Sequence, residues 1–309
     1  MSETTSLARQ SANRSAKIID TSTEILSAEP RDDEKAFGAK CLVSASLPYR
    51  NPKPEQLTNG AWVRKNGDYT LWIQGGPQGI PFGTYPRLFV IWLTSEAVRT
   101  GSRRISTGGN FAEFCRKLNI DRSRGKNGAG RRLIDQADRL LNSRAAFITG
   151  NIDTTAISTQ IKKTELLQFA EDFTLFFDQS ENERQDTLFQ SEIILTEKFF
   201  NEITAHCIPL DLRAVLALQQ SPLELDIYQW LAYRMFSLKS ASRPTWLQLY
   251  NQFGSSYGRL RDFRADFLKA LNSVKSVYPR LNVDYSESGL ILLPSPTPVP
   301  PRLEVVNGG

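Results

Sequence analysis

Two stretches of this chain, more than a hundred residues apart, repeat one design, and the repeat limits what the chain can fold into. In "YPRLFVIWLTSEAVRT" Pro86 stands in a first turn, and the apolar residues Leu88 to Leu93 cover nearly the whole helical circumference. Such a helix has no polar face to offer water and must be central and buried. In "SPLELDIYQWLAYRMFSL" Ser221, Pro222 and Glu224 supply N-cap, first-turn proline and N3 acid, and the body is again apolar almost all round. From Pro86 to the next N-cap, Asn110, is 24 residues; from Pro222 to Thr245 is 23. The interval describes a diverged structural duplication and not a short-period solenoid.

Similar elements follow each buried helix. In the first half Asn110 caps a second helix with Glu113 reaching back, and Phe111, Phe114, Cys115 and Leu118 form its apolar face. A basic loop, "DRSRGKNGAG", leads to a third helix on which Leu133, Ala137, Leu140 and Leu141 make the core stripe. Phe147 to Ile152, "FTLFFD" and "DTLFQSEIIL" then read as strands. In the second half the next helix is "TWLQLYNQF" and the third is "RLRDFRADFLKALNSVKSVY", with Leu260, Phe263, Phe267, Leu271 and Val274 as its stripe. A terminal hairpin turns near Ser286 to Gly289. Ahead of both, "AWVRKNGDYTLWIQ" predicts a hairpin around Asn66-Gly67, a pair suited to a type I′ turn.

Helix, helix, turn, helix and hairpin make the winged form of the helix-turn-helix, whose third helix fits a major groove roughly 12 Å wide. The predicted fold is therefore α+β and mainly helical, with two tandem winged-helix domains related by duplication, at residues 36–206 and 207–294. Residues 1–35, which hold little to bury, are expected as a disordered tail, and 295–309 as a flexible Pro-rich tail built on "PSPTPVPP". Trp92, Trp230 and Trp246 are assigned to the core and not to base stacking.

Charge agrees with a DNA partner. The net charge of +5 and pI near 9.1 lean only weakly toward polyanions. Locally the lean is stronger, because Arg116 to Arg144 holds nine basic residues against three acidic ones. Glu171 to Glu202 compensates with nine acids and two bases, so it is placed away from phosphate, facing solvent or a protein partner. Candidate DNA contacts in the first half are Arg122, Arg124, Lys126, Arg131, Arg132, Gln136 and Arg139. Those in the second are Ser255, Ser256 and Tyr257 in the corner and Arg259, Arg261, Arg264 and Lys269 on the helix after it. Arginines that open a helix oppose its dipole preference, a small cost that an anion docked there would offset.

Catalytic and cofactor readings find little support. Cys41, Cys115 and Cys207 are far apart and odd in number, which fits neither a disulfide framework nor a zinc site. A reducing, cytoplasmic setting follows, with no signal core at the N-terminus and no apolar run long enough to span a bilayer. His206 is the sole histidine, no nucleophile elbow surrounds it, and it is expected to be a partly buried structural residue. "GKNGAGRR" lacks the spacing of a phosphate loop. No metal, no cofactor and no enzymatic activity are expected.

Several of these segments carry a family likeness. "PFGTYPRLFVIWLTSEAVRTGSRRISTGGNFAEFCRKLNI", "GRRLIDQADRLLNS", "SEIILTEKFFNEITAHCIPLD", "SPLELDIYQWLAYR" and "WLQLYNQFGSSYGRLRDFRADFLKAL" together resemble the plasmid-encoded RepA replication initiators of Gram-negative bacterial plasmids. The likeness runs in order from about Leu47 to Pro294 and weighs most on Pro86-Arg87-Leu88, Glu96 to Thr100, Gln252-Phe253-Gly254 and Asp262-Phe263-Arg264. Where such proteins often read His-Pro-Val-Pro-Leu-Asp, this chain has His206-Cys207-Ile208-Pro209-Leu210-Asp211. The resemblance implies a non-enzymatic protein that binds repeated origin sites (iterons) in double-stranded plasmid DNA, opens an AT-rich region beside them, and recruits the host initiator and replicative helicase. It also implies a dimer that represses its own promoter and a monomer that occupies the repeats, with dimer and DNA-backbone contacts in the first domain and base recognition in the second. A winged-helix repressor without melting activity, or a DNA nickase or primase, are the alternatives.

Overall fold

The computed structural model describes residues 2–107, 115–116, 119–121, 128–150, 163–175 and 192–300, with side chains from residue 12 onward. It begins with a helix, α1 (Ser2–Ser27), where a disordered tail is expected. The helix buries Ile18 and Thr21, Arg14 forms an ion pair with Glu224, and the Lys17 ammonium donates to the Leu216 carbonyl at 3.2 Å. Its partners lie some two hundred residues away, so its stability comes from tertiary docking that local composition does not display.

β1 (Lys35–Ala39) follows and pairs antiparallel with β9 (Cys207–Asp211), Lys35 opposite Asp211 and Ala39 opposite Cys207. β2 (Ala61–Asn66) and β3 (Tyr69–Gln74) form the expected hairpin with its turn one residue later than the sequence suggests. Asn66 faces Tyr69, leaving Gly67 and Asp68 as the loop, and only Gly67 has positive φ (59°). A glycine in the first loop position suits a type II′ turn, not type I′.

The two apolar helices are central, as their sequences require. α2 (Thr84–Thr100) buries Phe89 and Leu93 completely and ends on Gly101 in the left-handed conformation. α6 (Pro222–Ser237) starts on Ser221, whose hydroxyl accepts from the Glu224 backbone NH at 3.3 Å. Two shorter helices precede it, α4 (Glu197–Ala205) capped by Thr196 and α5 (Leu212–Leu218) capped by Asp211. Neither is marked by the patterns above.

After α2 come β4 (Arg104–Ser106) and the third helix of the first half, α3 (Ala129–Leu141). The second helix expected with its cap at Asn110 falls mostly outside the described residues; Cys115 and Arg116, which are described, are helical. β5 (Arg144–Thr149), β6 (Lys163–Gln168), β7 (Ala170–Thr174) and β8 (Glu192–Leu195) complete this half. They divide between two antiparallel sheets, ordered β2-β3-β5-β6 and β4-β8-β7. The strand at β6 is additional to those expected, and positions 176–191, which carry the end of the predicted "FTLFFD" strand, the loop and the "DTLFQS" part of the predicted "DTLFQSEIIL" strand, are outside the described residues.

The second half is shorter. α7 (Trp246–Phe253) opens with a capping box in which the Thr245 hydroxyl accepts from Gln248 NH and the Gln248 side chain accepts from Thr245 NH. α8 (Leu260–Val277) follows, then β10 (Val283–Tyr285) and β11 (Leu290–Leu292). The stretch before α7 lies along this hairpin, bridging Ser242 to Leu292 and Thr245 to Gly289. Gly289 is required there, since a Cβ would sit 2.1 Å from the Pro244 carbonyl oxygen.

The Pro-rich end is packed as far as it is described. The Tyr278 hydroxyl donates to the Pro296 carbonyl at 2.6 Å and Val299 is buried, in contrast to a flexible tail from 295; positions 301–309 lie outside the described residues. Buried apolar side chains of both halves form one continuous cluster, from Leu71 and Phe89 to Phe263 and Phe267. Trp92, Trp230 and Trp246 all belong to it.

Candidate nucleic-acid interface

α8 exists because its apolar stripe closes over α7. Phe263 and Phe267 are fully buried, with Tyr250, Tyr257 and Trp246 edge-on to them at ring separations of 5.5 to 6.0 Å. The stripe starts at Phe263, not at Leu260, which is 41% exposed on the overhanging first turn. That first turn has no side-chain cap, and its N-cap residue is Arg259 in extended conformation. Its free backbone NH groups therefore face outward beside two guanidinium groups.

Those groups are held at the tip by one carboxylate. Arg259 Nε donates to Asp262 Oδ2 at 2.9 Å, and Arg261 Nε lies 3.6 Å from Asp262 Oδ1. The Arg261 side chain is 85% exposed. Ion pairs this exposed are worth about 0–1 kcal/mol, so a phosphate or a base edge can replace Asp262 at little cost. Arg264 behaves differently. Its guanidinium stacks 5.0 Å from the Trp246 ring centre and reaches the Ser286 carbonyl at 3.4 Å, which makes it a brace between α8 and the β10–β11 hairpin. Lys269 sits 3.4 Å from Asp266, two turns beyond the tip.

The corner before α8 is partly structural. The Tyr257 carbonyl accepts from the Tyr250 hydroxyl at 2.6 Å, and burial, with Asp266 nearby, pushes the Tyr257 phenol up to about 12. Ser256 is exposed, whereas the Ser255 Oγ is enclosed without a hydrogen-bond partner. Arg50 from the first half is exposed and close enough to act electrostatically on Tyr257; no spacing in the sequence points to it.

In the first half α3 turns Gln136 inward and lays Arg139 on an aromatic ring of the protein. Gln136, expected among the DNA contacts of the first half, is 3% exposed, and its Oε1 accepts from the Phe82 backbone NH at 2.7 Å. Arg139 lies 5.3 Å from the Phe82 ring centre and donates to Asp135 at 3.0 Å; Arg132 lies 5.5 Å from the Tyr85 ring centre. Arg131 and Arg132 are exposed. Arg122, Arg124 and Lys126 lie outside the described residues.

Residues 80–249 match the plasmid-encoded RepA protein family. This chain belongs to that family. It is one of plasmid replication initiators, DNA-binding proteins that in general are not catalytic. The RepA match spans α2, α3 and α6 and ends inside α7, so the arginines of α8 stand outside it. None of the curated proteins matches this RepA-family chain. Among solved structures, RctB domains 2 and 3 are similar with a TM-score of 0.48 at 11% identity, over 81% of this chain and 93% of that one. Selenomethionine derivatives of domain 2 and domain 3 of RctB give 0.47 at 12% identity, over 75% and 82%.

Within the described residues of this RepA-family protein no cluster of His, Cys, Asp and Glu could hold a metal ion, and no helix is long and apolar enough to cross a membrane. His206 is exposed after the last turn of α4, not partly buried as expected.

Proposed function

We propose that this RepA-family chain binds the repeated sites of its plasmid origin as a tandem pair of winged-helix modules, residues 36–206 and 207–294, related by duplication. Each half carries a central helix and a later helix; the first half then runs through β5 and β6 before β7 and β8, the second directly into β10 and β11. In both, the segment after the central helix joins the last strand: β4 pairs with β8, and Ser242 makes an isolated bridge to Leu292. The reading rests most heavily on Arg259 and Arg261, which stand in solvent on the uncapped first turn of α8. A recognition helix meets base edges with its N-terminal residues, and a guanidinium there pairs with guanine O6 and N7.

Arg259 and Arg261 then read bases, while Ser256 and the corner around Ser255 and Tyr257 face phosphate. In the first half Arg122, Arg124, Lys126, Arg131 and Arg132 hold the DNA backbone, and the module supplies the contact of a repressing dimer. Gln136, Arg139 and Arg264 move from the contact set to its supports, because their side chains are bound within the protein. Origin melting and recruitment of the host initiator and helicase complete the activity, with the acidic stretch from Glu171 to Glu202 as a protein-facing surface.

Footprinting on the parental plasmid, with permanganate probing of unpaired thymines, tests this directly. Protected repeats with reactive thymines in an adjoining AT-rich stretch are expected. Protection without melting would leave a repressor, and no protection would overturn the DNA-binding reading.

A further inference from the structure

Gln136 lies at one end of a line of buried polar groups that joins the two third helices. Its bond to Phe82 NH, with Arg139 over the Phe82 ring and Arg132 over the Tyr85 ring, ties α3 to the start of α2. In the same turn stands Arg87, 5% exposed. Its guanidinium forks onto Asp226 of α6, Nε to Oδ1 at 2.7 Å and Nη2 to Oδ2 at 2.8 Å. It also donates to the Gly83 carbonyl at 2.6 Å and the Leu47 carbonyl at 2.7 Å. The segment carrying Leu47 is pinned to the last turn of α7: Ser46 Oγ donates to the Gln252 carbonyl at 3.1 Å, and Gln252 Nε2 to the Val43 carbonyl at 2.9 Å. Arg64 of β2 donates to the Tyr250 carbonyl in that turn. From there the corner leads directly into α8.

A buried ion pair is a poor source of stability, since apolar residues of equal volume often serve as well or better. A planar fork with four protein acceptors does what apolar packing does not: it fixes angle and distance together. We propose that Arg87 and Asp226 are positioning residues that set the separation and relative rotation of α3 and α8, so that the chain accepts only DNA whose two contacted stretches lie at one helical phase. This rests on the origin-binding reading above and adds a spacing rule to it.

The test uses the full chain and two duplexes: the plasmid's own origin site, and that site with about five base pairs, half a helical turn, inserted between the stretches covered by α3 and α8. Loss of footprint in Arg131→Ala and Arg261→Ala proteins assigns those stretches. Wild-type protein is expected to bind the lengthened site about tenfold or more weakly, because one module loses its reach. The Arg87→Met/Asp226→Leu protein is expected to lose only about twofold, its modules being free to turn. Should that protein fail to fold by circular dichroism, Arg87→Lys and Gln252→Met are read by the same ratio. A role confined to stability would weaken both duplexes equally and leave the ratio at the wild-type value, which overturns the proposal. So does a wild type indifferent to the insertion, with no variant needed. A wild type that ignores the unmodified site overturns the origin-binding reading as well.

Discussion

The third helix of the first half and that of the second both carry arginines, and they place them in opposite ways. On α3, Arg139 lies over Phe82 and Gln136 is bound to the Phe82 backbone, so both are taken up in holding the turn ahead of α2, while Arg131 and Arg132 stay exposed. On α8 the bracing arginine is Arg264, on Trp246, while Arg259 and Arg261 extend from the tip against one exchangeable carboxylate. The contrast teaches that arginine count does not measure how many guanidinium groups a helix leaves free for a ligand. What matters is whether an aromatic face or a carbonyl within the protein already occupies the guanidinium.

Four experiments can break or sharpen this contrast. Phe263→Ala under α8 should cost about 4 kcal/mol and Leu140→Ala under α3 about 3, read from urea midpoints. Because one apolar cluster spans both halves, each variant should still melt in a single transition; two transitions would mean that the helices belong to independent units. Asp226→Ala, which strands the buried Arg87 charge, should cost about 3 kcal/mol in the same assay, and a loss below 1 would show that water reaches the guanidinium.

The contrast in DNA contact is measured by affinity. Arg261→Ala should lose about 2 kcal/mol on its own site and relax sequence choice, whereas Arg131→Ala should weaken all sequences alike and flatten the salt slope by about one. The reverse assignment would exchange the roles of the two helices. Smallest is the effect at the uncapped tip. Arg259→Ser supplies the missing N-cap and should raise stability by about 1 kcal/mol while lowering DNA affinity. A gain in both would show that the tip does not meet an anion.

Much of the architecture was legible because its signals are local. Ser221 and Thr245 cap the helices their sequences announce, and the apolar run from Leu88 to Leu93 lies at the centre of the molecule. The terminal hairpin turns between Ser286 and Gly289, as its serines and glycine suggest. Features decided by distant partners were not legible. Gln136 looks exposed on a helical wheel until the Phe82 turn folds over it, and Leu260 fits an apolar stripe that has nothing to cover it at the helix tip. Arg264 carries the same side chain as Arg261, and only the position of Trp246 makes it a brace. The expected tail contains Ile18 and Thr21 at a helical interval, too sparse a stripe to announce α1 without the surface that receives it.

That receiving surface sets an order of events during synthesis. Arg14 and Lys17 wait for partners 210 and 199 positions further on, an interval that a ribosome adding 5–20 residues per second needs roughly ten to forty seconds to cover. For that period α1 has nowhere to dock, and Ile18 stays wet. Docking of α1 is thus among the last steps of maturation, because it waits for chain made long after it.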